Sequence, residues 1–74
     1  MEKNTTEIWW VLKYGESPQV PNSGEVAKFD NFQDADSYAV AMNEKSIWLY
    51  SVTSCFKMVS DYCKAYSLDR KQFI

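Results

Sequence analysis

The first apolar run of the chain, EIWWVLKY at residues 7–14, is rich in β-branched and aromatic residues and predicts a β-strand. Successive residues of a strand point to opposite faces of its sheet. The two faces are Ile8, Trp10, Leu12 and Tyr14 on one side and Glu7, Trp9, Val11 and Lys13 on the other. Trp10 is therefore expected in the core, whereas Trp9 lies on the opposite face and raises the question of what covers it.

A polar connection at residues 15–24 follows the strand and contains both glycines and both prolines of the protein. These residues are typical of turns and exposed loops. A connection of this length is long for so small a protein, and it is a candidate partner contact. A second short strand, EVAKF at residues 25–29, is expected to pair back on the first strand as a hairpin.

The spacing of apolar residues then changes to three and four, which predicts a helix ending near Asn43 or Lys45. Asn31 is suited to cap this helix, and Asp34 lies in the favourable field of its first turn. The predicted apolar stripe consists of Phe32, Ala35, Tyr38, Ala39 and Met42.

IWLYSV at residues 47–52 predicts a third strand, with Ile47 and Leu49 on one face. Trp48, Tyr50 and Val52 lie on the other face. Residues 53–59 fit either a continued strand or the start of a second helix, and the apolar spacing favours the helix. Thr53 or Ser54 would cap it. Its predicted stripe consists of Phe56, Val59, Tyr62, Cys63 and Tyr66.

The element order is therefore strand, strand, helix, strand, helix. A crossover through the first helix would bring the third strand beside the first. We therefore predict a single α+β domain over residues 1–74, with a three-stranded antiparallel sheet in the order 2-1-3. Both faces of that sheet carry large apolar side chains and need cover. One helix could pack on each face, both helices could share a face and leave the other for a partner, or an open face could close a homodimer.

Composition supports a folded chain, because 46% of the residues are hydrophobic and 16% are aromatic. The formal net charge of −2 hides an asymmetry: residues 1–44 carry a net −5 and residues 45–74 a net +3. Neither a signal-peptide-like run after the first six residues nor a membrane-spanning apolar segment is found in the sequence. We therefore expect a cytoplasmic protein with no membrane partner.

The sequence argues against several chemistries and predicts neither catalytic nor cofactor-binding nor metal-binding residues. Histidine, the commonest general base and metal ligand, is absent. Cys55 and Cys63 would lie about 12 Å apart on one helix, too far for a disulfide, and are expected to be buried and reduced. Ser54 and Lys57 match an S-x-x-K pattern, but the other motifs of acyl-serine enzymes are missing. We therefore expect that the protein is not an enzyme and needs no cofactor.

With catalysis disfavoured, binding is the remaining class of function. The first hypothesis is a protein-binding module. Its contact would combine the second aromatic face of the sheet with the acidic residues around the start of the first helix, because aromatic residues dominate binding hot spots. The candidate partner-binding residues are Trp9, Val11, Trp48, Tyr50, Asp30, Asp34 and Asp36. Self-association as a homodimer is an alternative form of this hypothesis.

The second hypothesis is a single-stranded nucleic-acid binder that stacks bases on Trp9, Trp48 or Tyr50. Its backbone path would follow Lys57, Lys64, Arg70 and Lys71. The net negative charge disfavours this alternative.

The layout of VAKF at 26–29, FQDADSYA at 32–39 and a following strand resembles small α+β accessory proteins encoded by bacteriophages and prophages. The resemblance covers the architecture of residues 7–52. Many such proteins bind and inhibit a host enzyme or a defence complex, so the resemblance implies an inhibitor or regulator with a host protein as its partner. It assigns no role to any residue.

Overall fold

The computed structural model describes residues 8–73. A central strand, β1 (Trp9–Tyr14), lies between β2 (Val26–Phe29) and β3 (Leu49–Thr53), and both neighbours are antiparallel to it. The helices are α1 (Phe32–Lys45) and α2 (Phe56–Ala65), and a 3-10 turn at Arg70–Gln72 follows. The predicted α+β class, element order and sheet order 2-1-3 are confirmed.

One helix packs on each face of the sheet, which is the first of the three arrangements predicted for covering it. On the α2 side the buried residues are Trp10, Leu12, Val26, Val59, Tyr62 and Cys63. On the α1 side they are Val11, Ala35, Ala39 and Tyr50. The alternation along β1 therefore divides the core into two layers, since the even-numbered residues of β1 face α2 and its odd-numbered residues face α1.

Local signals explain the start of α1. The Asn31 side chain accepts a hydrogen bond from the backbone N–H of Asp34 at 2.9 Å, and its amide donates to the Asp34 carboxylate at 3.1 Å. This reciprocal pair satisfies a backbone donor that the first turn of a helix leaves without a partner. The predicted cap at Asn31 and the predicted end near Lys45 are both confirmed.

Several predicted boundaries were wrong by a few residues. β3 begins at Leu49 rather than Ile47 and continues to Thr53. Cys55 occupies the N-cap position of α2 without a capping side-chain hydrogen bond, and neither Thr53 nor Ser54 lies at that position. The Thr53 hydroxyl instead accepts a hydrogen bond from the Cys55 backbone N–H at 3.0 Å, one residue before the helix. Glu7, the predicted first residue of the first strand, lies outside the described residues, as does Ile74.

The long connection between β1 and β2 is anchored at its base by α2. The hydroxyl of Tyr62 donates to the Lys13 carbonyl and accepts from the Glu25 backbone N–H. Asn22 donates to the same carbonyl at 2.9 Å. Gly24 has a φ of +91°, and a Cβ at this position would lie 2.6 Å from the Tyr66 Cβ. The close approach of α2 therefore requires glycine here.

The two sheet edges differ in what protects them. At the β3 edge, the backbone N–H and C=O of Tyr50 are both hydrogen-bonded to the side chain of Asn43 from α1. β2 has only four residues, and its exposed residue is Lys28. Short edge strands and edge lysines both disfavour pairing with another strand. Neither edge therefore offers a long row of free backbone groups to a partner.

Candidate functional site: two separate surfaces

Two of the residues predicted to bind a partner lie in the core. Val11 exposes 1% of its surface and Tyr50 exposes 6%, and both pack beneath Ala35 and Ala39 of α1. α1 covers both side chains in the folded state, so neither is exposed to a partner. The sequence pattern left open whether Tyr50 or Leu49 shares a face with Val11, and the structure places Tyr50 there.

The structure also separates Trp9 from Trp48. Trp9 pairs with Phe29 at the beginning of β1, whereas Trp48 precedes β3 and lies over Gly15, just beyond the end of β1. The Lys13 ammonium is 5.3 Å from the centre of the Trp48 ring. Four strand positions between Trp9 and Lys13 correspond to about 13 Å. The two tryptophans therefore do not form one continuous aromatic surface.

Trp9 instead contacts Phe32, the first residue of α1. Their ring centres are 5.0 Å apart and the planes meet at 66°, an edge-to-face arrangement. Trp9 is half-buried, but Phe32 exposes 47% of its surface. The predicted helix stripe included Phe32 as a core residue. Its position at the very start of the helix leaves one side of the ring open.

The three predicted aspartates lie at the start of α1, close to Phe32 in the chain. Asp30 precedes the cap of α1, and Asp36 is one helical turn after Phe32, on the same side of the helix. Both are exposed, and neither forms an ion pair with another residue in 8–73. Asp34 is also exposed, but its carboxylate takes part in the cap. We name Trp9, Asp30, Phe32, Asp34 and Asp36 the aromatic–acidic surface.

A second surface lies on the opposite side of the sheet. α2 packs against β1 and leaves the neighbouring part of β3 uncovered, so that Leu49 is 63% exposed. Met58 of α2 is 48% exposed, and its sulfur lies 3.7 Å from the Thr53 hydroxyl of β3. Beside it is a groove of about 310 Å³ lined by Tyr14, Met58, Asp61, Tyr62, Ala65 and Tyr66. Leu49 pairs with Tyr14 at one end of β3, whereas Met58 contacts Thr53 at the other end.

The basic residues proposed for nucleic-acid binding lie with α2, whereas the aromatic rings proposed for stacking belong to the α1 side of the sheet. Lys57, Lys64, Arg70 and Lys71 are all exposed. Arg70 donates to the Ser60 hydroxyl at 3.0 Å, and Lys57 pairs with Asp61 at 3.3 Å. The rings and the cations therefore do not line one path, which the stacking hypothesis requires.

The described residues hold no cluster of three or more Cys, Asp or Glu side chains that could bind a metal ion. Cys63 is buried as expected, and burial raises the pKa of its thiol. Cys55 is exposed, so the prediction that both cysteines are buried was wrong for Cys55. Over residues 8–73, neither helix has the length and apolar character needed to cross a membrane.

Comparisons with protein-family models, curated proteins and solved structures found no match to this chain.

Proposed function

We propose that the protein acts by binding another protein through the aromatic–acidic surface, without catalysis and in the cytoplasm. The observation that carries this proposal is Phe32, a phenylalanine that is 47% exposed at the start of a helix and packs edge-to-face against a second aromatic ring. Aromatic side chains supported by neighbouring rings are frequent binding hot spots. Phe32 supplies an apolar centre that a partner can cover.

The aspartate carboxylates give the aromatic–acidic surface a negative charge. Asp30 and Asp36 flank Phe32 with no cationic partner among the described residues, and the first turn of α1 adds Asp34. Charged groups around an apolar centre steer association and select partners of opposite charge. The partner surface that fits is therefore apolar at its centre, with lysine or arginine residues at its rim.

Inhibition or regulation of a host protein, including a defence complex, is the form of this function that the resemblance to phage accessory proteins suggests. Binding through a surface made mainly by one helix start is compatible with that role, because an inhibitor needs only to cover a site on its target.

Affinity capture from a bacterial lysate tests the proposal. The tagged protein is incubated with lysate, with and without nuclease, and the retained material is identified by mass spectrometry. A stoichiometric protein that survives nuclease and is lost with Phe32→Ala supports the proposal. Recovery of nucleic acid alone, with a retention that falls steeply with salt, contradicts it and favours the alternative function.

A further inference from the structure

A polar pocket lies between α2 and the 3-10 turn at Arg70–Gln72. Its volume is about 310 Å³, at the lower end of the range for small-molecule sites. The residues that line it are Ser60, Asp61, Cys63, Lys64, Leu68 and Arg70. Cys63 and Leu68 belong to the core on the α2 side of the sheet, so the pocket is separate from the aromatic–acidic surface on the α1 side.

The turn after α2 determines the shape of the pocket. The backbone N–H of Ser67 donates to the Lys64 carbonyl at 3.4 Å, and that of Leu68 donates to the Cys63 carbonyl at 2.7 Å. These two bonds and the φ of Ser67, +60°, form a Schellman motif. The motif reverses the chain and occupies carbonyls that would otherwise repel an anion at this helix end. Leu68 packs on the core, and the following 3-10 turn lies against α2.

Three hydrogen-bond donors converge on this pocket. Ser60 and Lys64 are spaced i and i+4, on one face of α2. Arg70 approaches from the 3-10 turn, and its Nη1 atom donates to the Ser60 Oγ at 3.0 Å. That bond uses a single N–H of a guanidinium that carries several, and the Ser60 hydroxyl keeps its own proton to donate. The pocket therefore presents a hydroxyl, an ammonium and a guanidinium to one space.

The charges around the pocket favour an anion with two negative charges. Lys64 and Arg70 form no ion pair with a carboxylate of residues 8–73. Among the described residues that line the pocket, Asp61 is the one acid, and its charge is offset by the Lys57 ammonium at 3.3 Å. The neighbouring Asp69 carboxylate accepts a backbone N–H of the turn at 3.0 Å. A phosphate monoester carries a charge of about −1.5 to −2 near neutral pH, which two cations balance.

We infer that this pocket binds the phosphate group of a small phosphomonoester, held by Arg70, Lys64 and Ser60. A guanidinium donates two parallel N–H bonds to two oxygens of one phosphate group, which an ammonium cannot do. The pocket is larger than a phosphate group, so it has room for the first atoms of the attached molecule. The inference does not depend on protein binding through the aromatic–acidic surface.

Titration of the ¹⁵N-labelled protein, followed by NMR at constant ionic strength, tests the site. The probes are phenyl phosphate, inorganic phosphate and a short single-stranded oligonucleotide, whose phosphodiesters carry one charge each. We expect saturable shifts centred on residues 60–71, with phenyl phosphate bound most tightly. Shifts that do not saturate, or that lie elsewhere, overturn the inference. Tighter binding of inorganic phosphate or of the oligonucleotide also overturns it, and the latter result favours the nucleic-acid alternative.

Matched substitutions separate a specific site from general charge attraction. Arg70→Lys keeps the charge but loses the planar donor pair, and Lys64→Gln removes one cation. Each should raise the Kd for phenyl phosphate by about tenfold or more. Lys71→Gln is the control, because Lys71 is exposed next to Arg70 but does not line the pocket, and it should change the Kd by less than about twofold.

The three substituted side chains are exposed, so all three variants should keep the circular dichroism spectrum of the unmodified protein. Equal effects of Lys64→Gln and Lys71→Gln would show only diffuse charge attraction and would overturn the inference. An unchanged Kd for Arg70→Lys would overturn the role of the guanidinium.

Discussion

The side chain of Asn43 forms both backbone hydrogen bonds of Tyr50, accepting from its N–H at 2.7 Å and donating to its C=O at 3.1 Å. An amide side chain from α1 thus takes the place of a fourth strand at this point of the β3 edge. It also fixes the end of α1 to the strand that follows it.

Replacing Asn43 with alanine should therefore destabilise the protein by about 1–3 kcal/mol, because two partly buried backbone groups lose their partners. Chemical denaturation measures the change. Glu44→Ala, at the neighbouring exposed position, is the control and should change stability by less than about 0.5 kcal/mol. Equal, small effects of both substitutions would show that Asn43 does not stabilise the edge.

The Tyr62 hydroxyl should also stabilise the fold, since it forms hydrogen bonds with both the Lys13 carbonyl and the Glu25 N–H at the base of the hairpin. Tyr62→Phe removes only the oxygen and should cost about 1–3 kcal/mol of unfolding free energy. Tyr14→Phe is the matched control, because the Tyr14 hydroxyl has no hydrogen bond to another residue in 8–73 while its ring packs on Tyr62. A loss as large in the control would contradict a specific role for the Tyr62 hydroxyl.

Much of the fold could be predicted because several local signals agree. The apolar run of β1, the Asn31 cap and the three-and-four spacing of α1 each favour one structure, and the short third strand then has only one simple place beside β1. The assignment of Trp10 to the core followed from alternation alone and is confirmed at 6% exposure.

The surfaces were harder to predict because a stripe pattern does not show how far a helix extends over its sheet. Phe32 and Phe56 fit the apolar stripes, yet each is the first residue of its helix and is about half exposed. Leu49 is 63% exposed at the start of β3, whereas α2 meets β3 at its other end, where Met58 contacts Thr53. These outcomes depend on the placement of whole elements, which residue spacing does not specify.

Alkaline pH should destabilise the fold. Burial is the main cause that raises the pKa of the hydroxyls of Tyr14, Tyr38, Tyr50 and Tyr62 above 10.0, their ordinary value. Above pH 10 the unfolded chain releases these protons more readily than the folded one, so unfolding becomes more favourable as pH rises. Their contribution to stability is complete below pH 10 and is lost as pH passes the raised pKa values.

Urea midpoints measured from neutral to strongly alkaline pH test this expectation. The midpoint should fall above pH 10, and tyrosinate absorbance should rise together with unfolding. Tyr38→Phe removes one of the shifted groups and should make the fall less steep. Complete tyrosine ionisation near pH 10 with the fold intact would contradict the burial of these hydroxyls.

Trp9→Ala should weaken both stability and partner binding, because Trp9 packs on the α1-side core as well as on Phe32. We expect a loss of about 1–3 kcal/mol of unfolding free energy, measured by thermal or chemical denaturation. Phe32→Ala should cost less, since about half of its ring is already exposed. An unchanged stability for Trp9→Ala would mean that Trp9 contributes little to the core.

The proposed contact of Phe32 with another protein is tested most directly by comparing Phe32→Ala with Phe56→Ala in quantitative affinity capture. The two phenylalanines are the first residues of their helices and expose 47% and 51% of their surfaces. Both variants should fold, but only Phe32→Ala should lose the captured partner, by about tenfold or more. Equal retention by the two variants, or a loss confined to Phe56→Ala, would contradict the account.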